Sequence, residues 1–287
     1  MATRNLTVKL QVRRDTAANW ESRNPILAAG EIGYDTTNKL TKIGDGTTAW
    51  NNLTKFITAS EFPTISFQND SWDKIASIAA SGEADVYYAV GDEKTITLTT
   101  GERVTLVILG FNHDDLTAGG KAPITIGMKN LLATTYPMNS TATNAGGWNN
   151  SAMRTSTMAT LLSQLPADLR AAIKLVSKKA SAGSASTSIT TSADKLWLFS
   201  EVEIDNTTTE VYASEGSQYE YWRTIKDGTI AADRIKKLSN GGGSTNNWWL
   251  RSPRMGNNSS FSCVNGRGSV SNYTADTTCG VSFGFCV

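Results

Sequence analysis

Cysteine and histidine are scarce in this chain of 287 residues. The three cysteines, Cys263, Cys279 and Cys286, lie in the C-terminal tail, and an odd number leaves at least one of them unpaired. We expect free thiols, with Cys286 in the core. The single histidine, His113, precedes two aspartates and could contribute to a metal site, but no second histidine completes a transition-metal ligand set. A turn after an apolar strand is favoured there, and we expect no metal and no cofactor.

Charge and long apolar runs are also limited. Charged residues make up 18% of the chain, and 27 basic against 26 acidic residues give a formal net charge of +1. No long basic run occurs, so a nucleic-acid partner or an anionic membrane surface is not favoured. No apolar run approaches the span of a transmembrane helix, and the first residues contain no signal-peptide core. We therefore expect no membrane insertion, and synthesis and folding in a cytoplasm.

What the chain does have is a distinctive C-terminal tail, residues 246–287. An apolar block at 248–253 and an alternating block at 280–287 enclose a stretch of Gly, Asn, Ser and Thr with a few Arg and aromatic residues. Such a composition is typical of adaptable binding surfaces. The alternative is a polar surface loop of a β-rich domain. If the segment is displayed, we expect its side chains to lie outside the core and to bind the ligand. The predicted ligand-binding residues are Arg254, Asn257, Asn258, Ser259, Ser260, Phe261, Ser262, Arg267 and Tyr273.

Residues 1–58 are a candidate separate module of short β-strands. Apolar residues at positions 6, 8, 10 and 12 alternate with polar ones, which predicts one strand. Repeated Gly and Asp-Gly pairs after it are turn signals between very short strands. The segment has too little apolar content to build a good core alone, so we expect its strands to find partners in other copies of the chain.

Residues 59–84 are a predicted connector with a short helix that begins after Ser71 and ends at Gly82. Residues 85–287 are a predicted domain of the α+β class, with two helices followed by several strands. The expected elements are a hairpin of 91–99 with 103–111, helices at 151–164 and 167–176, a polar loop at 181–192 and a buried strand at 196–199.

No residue pattern predicts catalysis. Asp114 and Asp115 are adjacent, so their side chains should diverge instead of forming an acid–base pair. Glu201 and Glu203 match the exposed face of a half-buried strand over 198–204. Because the only histidine is expected in a turn, a Ser-His-Asp set is not predicted. We therefore expect that the chain is not an enzyme.

The tryptophans of the C-terminal half allow two interpretations. Trp222, Trp248 and Trp249 could form a carbohydrate stacking platform, but core packing is favoured because two of them begin an apolar run. Arg251 follows that run, and we expect it to be an internal strut bonded to a carboxylate such as Glu220.

The N-terminal residues also carry a family resemblance. The stretches QVRRDTAANW and AAGEIGYDTTNKLTKIGDG, with a Trp-x-x-Leu after them, resemble the N-terminal domain of the phage major tropism determinant and related tail-fibre proteins. The resemblance covers most of the first 56 residues. It implies a β-prism-like module that forms a homotrimer and attaches to other phage tail proteins.

A second resemblance covers residues from about 85 to 287. The stretches VILGFNHDDL, GGWNNSAMR, LPADLRAAIK and WWLRSP are similar to C-type-lectin-like domains of phage and bacterial proteins, some of which are variable proteins of diversity-generating retroelements. It implies a C-type-lectin-like fold in which 254–279 face a partner. Formylglycine-generating enzymes share this fold, but their cysteine pattern is not matched. The ligand motifs of calcium-dependent lectins are absent too.

The two resemblances imply a phage tail-tip receptor-binding protein in the virion. Its variable-type C-terminal stretch would bind a host cell-surface protein or glycan without a covalent step, and several copies on one virion would raise avidity. Two alternatives remain open, namely a structural tail-fibre protein without a receptor role and an enzyme of the formylglycine-generating type.

Overall fold

The structure is a computed structural model that describes residues 12–56, 65–206, 210–223, 232–240 and 244–287. The chain divides into two compact units, residues 1–64 and 65–287. The helix expected in a connector therefore belongs to the second unit. The predicted strand over positions 6–12 lies outside the described residues except for its last position.

The first unit contains one sheet with strand order β1-β2-β3-β4. β1 pairs with β2 in parallel, and the other pairs are antiparallel. A 3-10 turn at Trp50–Asn52 precedes the last strand. The other elements are β1 (Arg13–Asp15), α1 (Ala17–Arg23), β2 (Ile32–Asp35), β3 (Leu40–Ile43) and β4 (Lys55–Phe56).

Among the described residues of the first unit, the buried core is small and is built on two stacked tryptophans. The rings of Trp20 and Trp50 lie 4.0 Å apart, and Leu27 and Leu53 are buried beside them. Gly33 on β2 has no room for a side chain, since a Cβ there would lie 2.5 Å from the Trp50 ring.

The second unit mixes helices with three sheets, which is compatible with the α+β class. Its helices are α2 (Trp72–Ser81), α3 (Ala84–Tyr87), α4 (Gly147–Asn150), α5 (Met158–Gln164), α6 (Ala167–Ala172), α7 (Glu201–Asp205) and α8 (Glu220–Arg223). Its strands are β5 (Glu93–Thr97), β6 (Arg103–Phe111), β7 (Ile124–Met128), β8 (Val176–Ser181), β9 (Ile189–Asp194), β10 (Trp197–Leu198), β11 (Trp248–Pro253), β12 (Ser260–Val264), β13 (Val270–Thr274) and β14 (Phe283–Cys286).

The central sheet has the order β10-β14-β7-β6-β5 and carries most of the core. The predicted hairpin forms as β5 and β6, with Thr95 paired to Thr105. β14 comes from the end of the chain and inserts between β10 and β7, where Phe285 faces Ile126. Every residue of β14 is buried, so the alternating block of the tail is a core strand, as predicted.

Three local predictions were right only in part. The helix expected over 151–164 is divided into a π-helical turn at Met153–Thr157 and α5. The helix expected over 167–176 ends at Ala172, because β8 begins at Val176. The loop expected over 181–192 is shorter and covers 182–188, because its two ends belong to the hairpin of β8 with β9, in which Lys178 pairs with Ser192.

The strand expected around Glu201 and Glu203 is helix α7. The Ser200 hydroxyl accepts a hydrogen bond from the Glu203 N–H, while the Glu203 carboxylate accepts one from the Ser200 N–H. This reciprocal capping box fixes a helix start. Both glutamates are buried, so neither belongs to an exposed strand face.

Candidate functional site

The tail forms a three-stranded antiparallel sheet with the order β11-β12-β13. β12 is the middle strand and is buried along its whole length. β13 is an edge strand that becomes exposed toward its end, at Tyr273 and Thr274. The loop 254–259 joins β11 to β12, and the turn 265–269 joins β12 to β13. We call these two connections, together with β13, the display surface.

The loop 254–259 is held from beneath by Asn144, which is fully buried. The Asn144 side-chain amide donates to the carbonyls of Asn257, at 2.9 Å, and Ser260, at 2.8 Å. The Asn144 backbone N–H donates to the Asn258 carbonyl at 3.0 Å. Asn144 therefore fixes two backbone carbonyls of the loop and the first carbonyl of β12, and these contacts do not depend on the loop's side chains.

A second brace comes from residues 183–185. The backbone N–H of Ser184 donates to the Asn144 side-chain carbonyl at 2.8 Å, and that of Ala185 donates to the Asn257 carbonyl at 3.3 Å. Gly183 has φ of +70° and approaches Asn144 so closely that a Cβ would lie 1.8 Å from its carbonyl oxygen. Glycine is therefore required at this contact.

The nine predicted ligand-binding residues divide by exposure. Asn258, Arg267 and Tyr273 are exposed, and Arg254, Asn257 and Ser259 are partly buried. Asn257 caps its own turn, because its side-chain oxygen accepts hydrogen bonds from the N–H groups of Ser259 and Ser260. Arg254 forms an ion pair with Glu210 at 2.9 Å. The loop therefore presents few side chains that are free of internal contacts.

Ser260, Phe261 and Ser262 lie on β12 and are buried. The expectation that these three side chains stay outside the core was wrong. Phe261 belongs to the hydrophobic core, and the Ser262 hydroxyl donates to a Glu201 carboxylate oxygen at 2.7 Å. The composition of the stretch could not show this burial. β12 is buried because it is the middle strand of its sheet, and that place depends on which strands pair with it.

Three further residues of the display surface lie in the stretch 254–279 that was expected to face a partner, but they were not among the nine named ligand-binding residues. Ser271, Asn272 and Thr274 lie on β13 beside Tyr273 and are partly or fully exposed. The Tyr273 hydroxyl accepts a hydrogen bond from the Asn247 side chain at 3.0 Å. The available sequence signal for a strand was the β-favouring Val, Tyr and Thr residues of the stretch VSNYT at 270–274.

A buried ionic cluster lies in the second unit, away from the predicted residues. The Lys178 ammonium donates to Asp114 and to Glu203, each at 2.6 Å, and to the Tyr219 hydroxyl at 3.1 Å. Tyr219 in turn donates to Asp114 at 2.9 Å. All four side chains are buried. The four groups close a network in which each charge has a partner, as a buried charge requires.

Arg251 completes the cluster and has all its donors paired. Its guanidinium contacts both carboxylate oxygens of Glu203, at 2.5 and 2.8 Å. Its remaining N–H groups donate to the carbonyls of Lys179, Leu198 and Glu215. The predicted internal strut is therefore confirmed, but its carboxylate partner is Glu203, while Glu220 is exposed.

The basic residues of the cluster lower the pKa values of the two acids that they contact. Burial by itself would raise the pKa of Asp114 and of Glu203, but Lys178 beside Asp114 and Arg251 with Lys178 beside Glu203 hold both pKa values below the usual range. Both acids are therefore ionised. Glu215 behaves differently, since burial raises its pKa to about 7 despite its hydrogen bonds from Ser252 and the Ser181 N–H.

A hydrophilic pocket of about 220 Å³ opens above this cluster. None of its lining residues has an aliphatic side chain. They are His113, Asp114, Asp115, Lys121, Ser177, Lys178, Lys179, Glu203, Ser214, Glu215, Gly216, Ser217 and Arg251. At the pocket, the Ser217 hydroxyl lies 3.1 Å from His113 Nε2 and His113 Nδ1 lies 3.8 Å from Asp114 Oδ2. The structure thus brings together a Ser-His-Asp set that the sequence did not predict.

The adjacent acids diverge, as predicted. Asp114 points into the buried cluster, whereas the Asp115 side chain is 61% exposed and pairs with Lys121 at 2.7 Å. Among the described residues, no three His, Cys, Asp or Glu side chains are grouped as metal ligands. Within the same part of the chain, no helix has the length and apolarity needed to cross a membrane.

The three cysteines are free and buried. Burial raises the pKa of the Cys279 thiol to about 12 and that of the Cys263 and Cys286 thiols further above the usual value. Thiols of this kind are poor nucleophiles, because the thiolate is the reactive form. Trp222, Trp248 and Trp249 are likewise fully buried, so the favoured interpretation of core packing is confirmed.

The second unit is thus an α+β domain that combines a braced display surface with a polar pocket above a buried ionic cluster. More than half of the chain, residues 125–287, matches the model of a family described as a domain of unknown function (DUF6273), and the chain belongs to that family. Residues 10–48 match the major tropism determinant N-terminal domain, which confirms the N-terminal resemblance.

No curated protein and no solved structure matched the chain. The C-type-lectin-like fold, the β-prism-like module and the relation to diversity-generating retroelements therefore stay predictions.

Proposed function

We propose that this chain is a phage tail protein that determines host tropism by binding a ligand on the host cell surface. The observation that carries the proposal is the match of residues 10–48 to the major tropism determinant N-terminal domain. In the virion, the first unit would attach to other tail proteins, and the display surface of the second unit would bind a host protein or glycan. No covalent step is part of this role.

The bracing of the loop 254–259 supports the assignment of binding to the display surface. Its backbone carbonyls are held by Asn144 and Ala185, which lie outside the tail. The exposed side chains of a loop fixed in this way can change without loss of its backbone conformation. Because the loop is already ordered, it loses little conformational entropy when it binds a ligand. Exposed Arg and aromatic side chains are where binding energy concentrates, so Arg267 and Tyr273 are the main candidates.

The alternative of a formylglycine-generating enzyme gains no support from the cysteines, which are buried and protonated.

A binding experiment distinguishes the receptor role from the alternative of a fibre protein without a receptor role. Purified protein is labelled and added to cells of a strain that the parent phage infects. We expect Tyr273→Ala to weaken binding by tenfold or more, which corresponds to about 1.4 kcal/mol.

Tyr87→Ala is the matched control, because Tyr87 and Tyr273 are 42% and 38% exposed and Tyr87 lies on α3, outside the display surface. Both variants should keep the wild-type melting temperature. If the unaltered protein does not bind these cells, the receptor role is wrong. If Tyr273→Ala and Arg267→Ala both bind like the wild type, the binding face lies elsewhere.

The homotrimer is a second part of the proposal and rests on the outer face of the first unit. Ile32 and Ile43 are direct cross-strand partners and are 38% and 41% exposed. Leu40 on the same strand packs against the tryptophan core, so Ile43 points to the opposite face. Ile26 and Phe56 are 57% and 56% exposed. Four exposed apolar side chains on so small a unit indicate a surface that another copy covers.

Light scattering tests this part. We expect a trimer of the 30.8 kDa chain for the wild type and dissociation for Ile43→Glu, because a carboxylate in an apolar interface loses its hydration. Ser22→Glu is the control, because Ser22 is exposed on α1 and lies outside the sheet, and this variant should remain a trimer. A wild type that is monomeric at micromolar concentration would contradict the trimer without affecting the receptor role.

A further inference from the structure

The hydrophilic pocket of the second unit contains a serine and a histidine in contact. Ser217 is exposed at the pocket, and its hydroxyl lies 3.1 Å from His113 Nε2. The His113 side chain is only 16% exposed and its ring packs on the Tyr219 ring, with centroids 4.1 Å apart. The pocket therefore offers an accessible hydroxyl beside an imidazole whose position is fixed by packing.

The surroundings of His113 decide which ring nitrogen carries the proton. Nδ1 is buried, has no hydrogen-bond partner among the described residues and lies 3.8 Å from Asp114 Oδ2. A lone pair on Nδ1 would face a carboxylate oxygen and be repelled, whereas an N–H there is attracted. In the neutral ring Nδ1 is thus protonated, and Nε2 is the acceptor that receives the Ser217 hydroxyl proton.

Asp114 is itself held rigidly in its ionised form. It accepts hydrogen bonds from Lys178 at 2.6 Å, Thr125 at 2.6 Å and Tyr219 at 2.9 Å. Asp114 is a positioning residue here, since it acts through His113.

We propose that this pocket hydrolyses small acyl esters, with Ser217 as the nucleophile and His113 as the general base. Ser217 Oγ bonds to the ester carbonyl carbon while its proton passes to His113 Nε2, and the carbonyl electron pair moves to the oxygen. The pair returns, the bond to the alkoxy oxygen breaks, and His113 protonates the leaving alcohol. Water then attacks the acyl-serine with His113 as base, which releases the acid and restores the Ser217 hydroxyl.

The pocket lining defines the substrate class. Because no aliphatic side chain lines the pocket, the alcohol part of the ester must be hydrophilic, and a volume of about 220 Å³ admits only a small acyl group with part of that alcohol. Lys179 is exposed at the pocket and has no ion pair among the described residues. Its ammonium is the available cation for the negative charge that develops on the carbonyl oxygen.

This activity lies beyond the binding role proposed above and at a different place in the fold. A fluorophosphonate probe tests it, because such a probe reacts with an activated serine hydroxyl, loses fluoride and leaves a stable phosphonyl group on the oxygen. Intact-mass and peptide mass spectrometry locate the label. We expect one label, on Ser217, in the wild type, and none in Ser217→Ala.

Ser163→Ala is the control, since Ser163 is an exposed serine on α5 that does not line the pocket. It should keep the label and the rate of hydrolysis of glycerol monoacetate, a small acyl ester of a hydrophilic alcohol. His113→Gln should slow labelling of Ser217 by about 100-fold or more, the usual contribution of a general base. Melting temperatures of the three variants show that they are folded. Asp114 is left unchanged, because its loss would disturb the buried cluster.

Three results would overturn the inference. They are an unlabelled wild-type protein, equal labelling of Ser214 and Ser217, and a folded His113→Gln variant that reacts as fast as the wild type. None of these depends on host-cell binding, so the esterase and the receptor proposals can fail separately.

Discussion

Replacement of Arg251 by methionine is the most direct test of the buried cluster. Arg251 is completely buried, contacts both oxygens of Glu203 and donates to three backbone carbonyls. The variant keeps most of the side-chain volume but leaves Glu203 buried with one fewer cation. Breaking a buried pair from one side costs about 3–5 kcal/mol. For a unit of this size, about 2–4 °C is lost per kcal/mol, so we expect melting to fall by roughly 6–20 °C.

The matched control is the same substitution three positions later. Arg254 forms an ion pair with Glu210, but the two side chains are 31% and 47% exposed. An exposed pair of this kind contributes about 0–1 kcal/mol, so Arg254→Met should melt within a few degrees of the wild type. Urea unfolding followed by circular dichroism measures both variants. Equal stability of Arg251→Met and Arg254→Met would refute the structural role assigned to the cluster.

Three further predictions concern stability. Phe261→Ala should cost about 3–5 kcal/mol because it empties a core site, whereas Tyr273→Ala should cost less than about 1 kcal/mol; chemical denaturation of both variants compares them. Trp249→Ala should destabilise the protein about as much as Phe261→Ala, whereas Asn258→Asp should hardly change its stability. Indistinguishable melting temperatures for Trp249→Ala and Asn258→Asp would be evidence against a core anchor beside an exposed loop. The pKa of Glu215 is raised to about 7 in the folded protein, so the stability it contributes is complete below its unfolded value of 4.5 and is lost as pH rises through 7. As pH rises from 4.5 to 7, the free energy of unfolding of Glu215→Gln should increase by up to about 3 kcal/mol relative to that of the wild type. A difference between the two proteins that does not change with pH would show that Glu215 is not the titrating group.

The sequence predicted the structural features that are determined by residues close together in the chain. The helix at Trp72–Ser81 begins after Ser71 and ends at Gly82, because a hydroxyl cap and a left-handed glycine act within one turn. The hairpin of β5 and β6 and the burial of Trp248 and Trp249 follow from local apolar pattern and turn residues. The capping box at Ser200 was also present as a local motif, yet the spacing of Glu201 and Glu203 was mistaken for a strand.

The site depended on contacts between distant parts of the chain. Composition marked the tail as a binding surface, but β12 lies between two other strands, and this placement buries Phe261 although its neighbours in sequence are polar. The resemblance predicted the first unit better, because its motifs occupy one short continuous stretch. Strand pairing, in contrast, decides exposure only after the whole sheet has formed.

By itself, then, the sequence determined local elements, the apolar strands and the relation of residues 10–48 to a known N-terminal domain. Only the tertiary structure decided that Asn144 braces a loop 113 positions away and that Ser217 meets His113 across 104 positions. It also decided that Arg251 pairs with Glu203. The physical reason is that a buried charge takes whichever partner the topology brings within hydrogen-bond distance, and local periodicity carries no information about that partner.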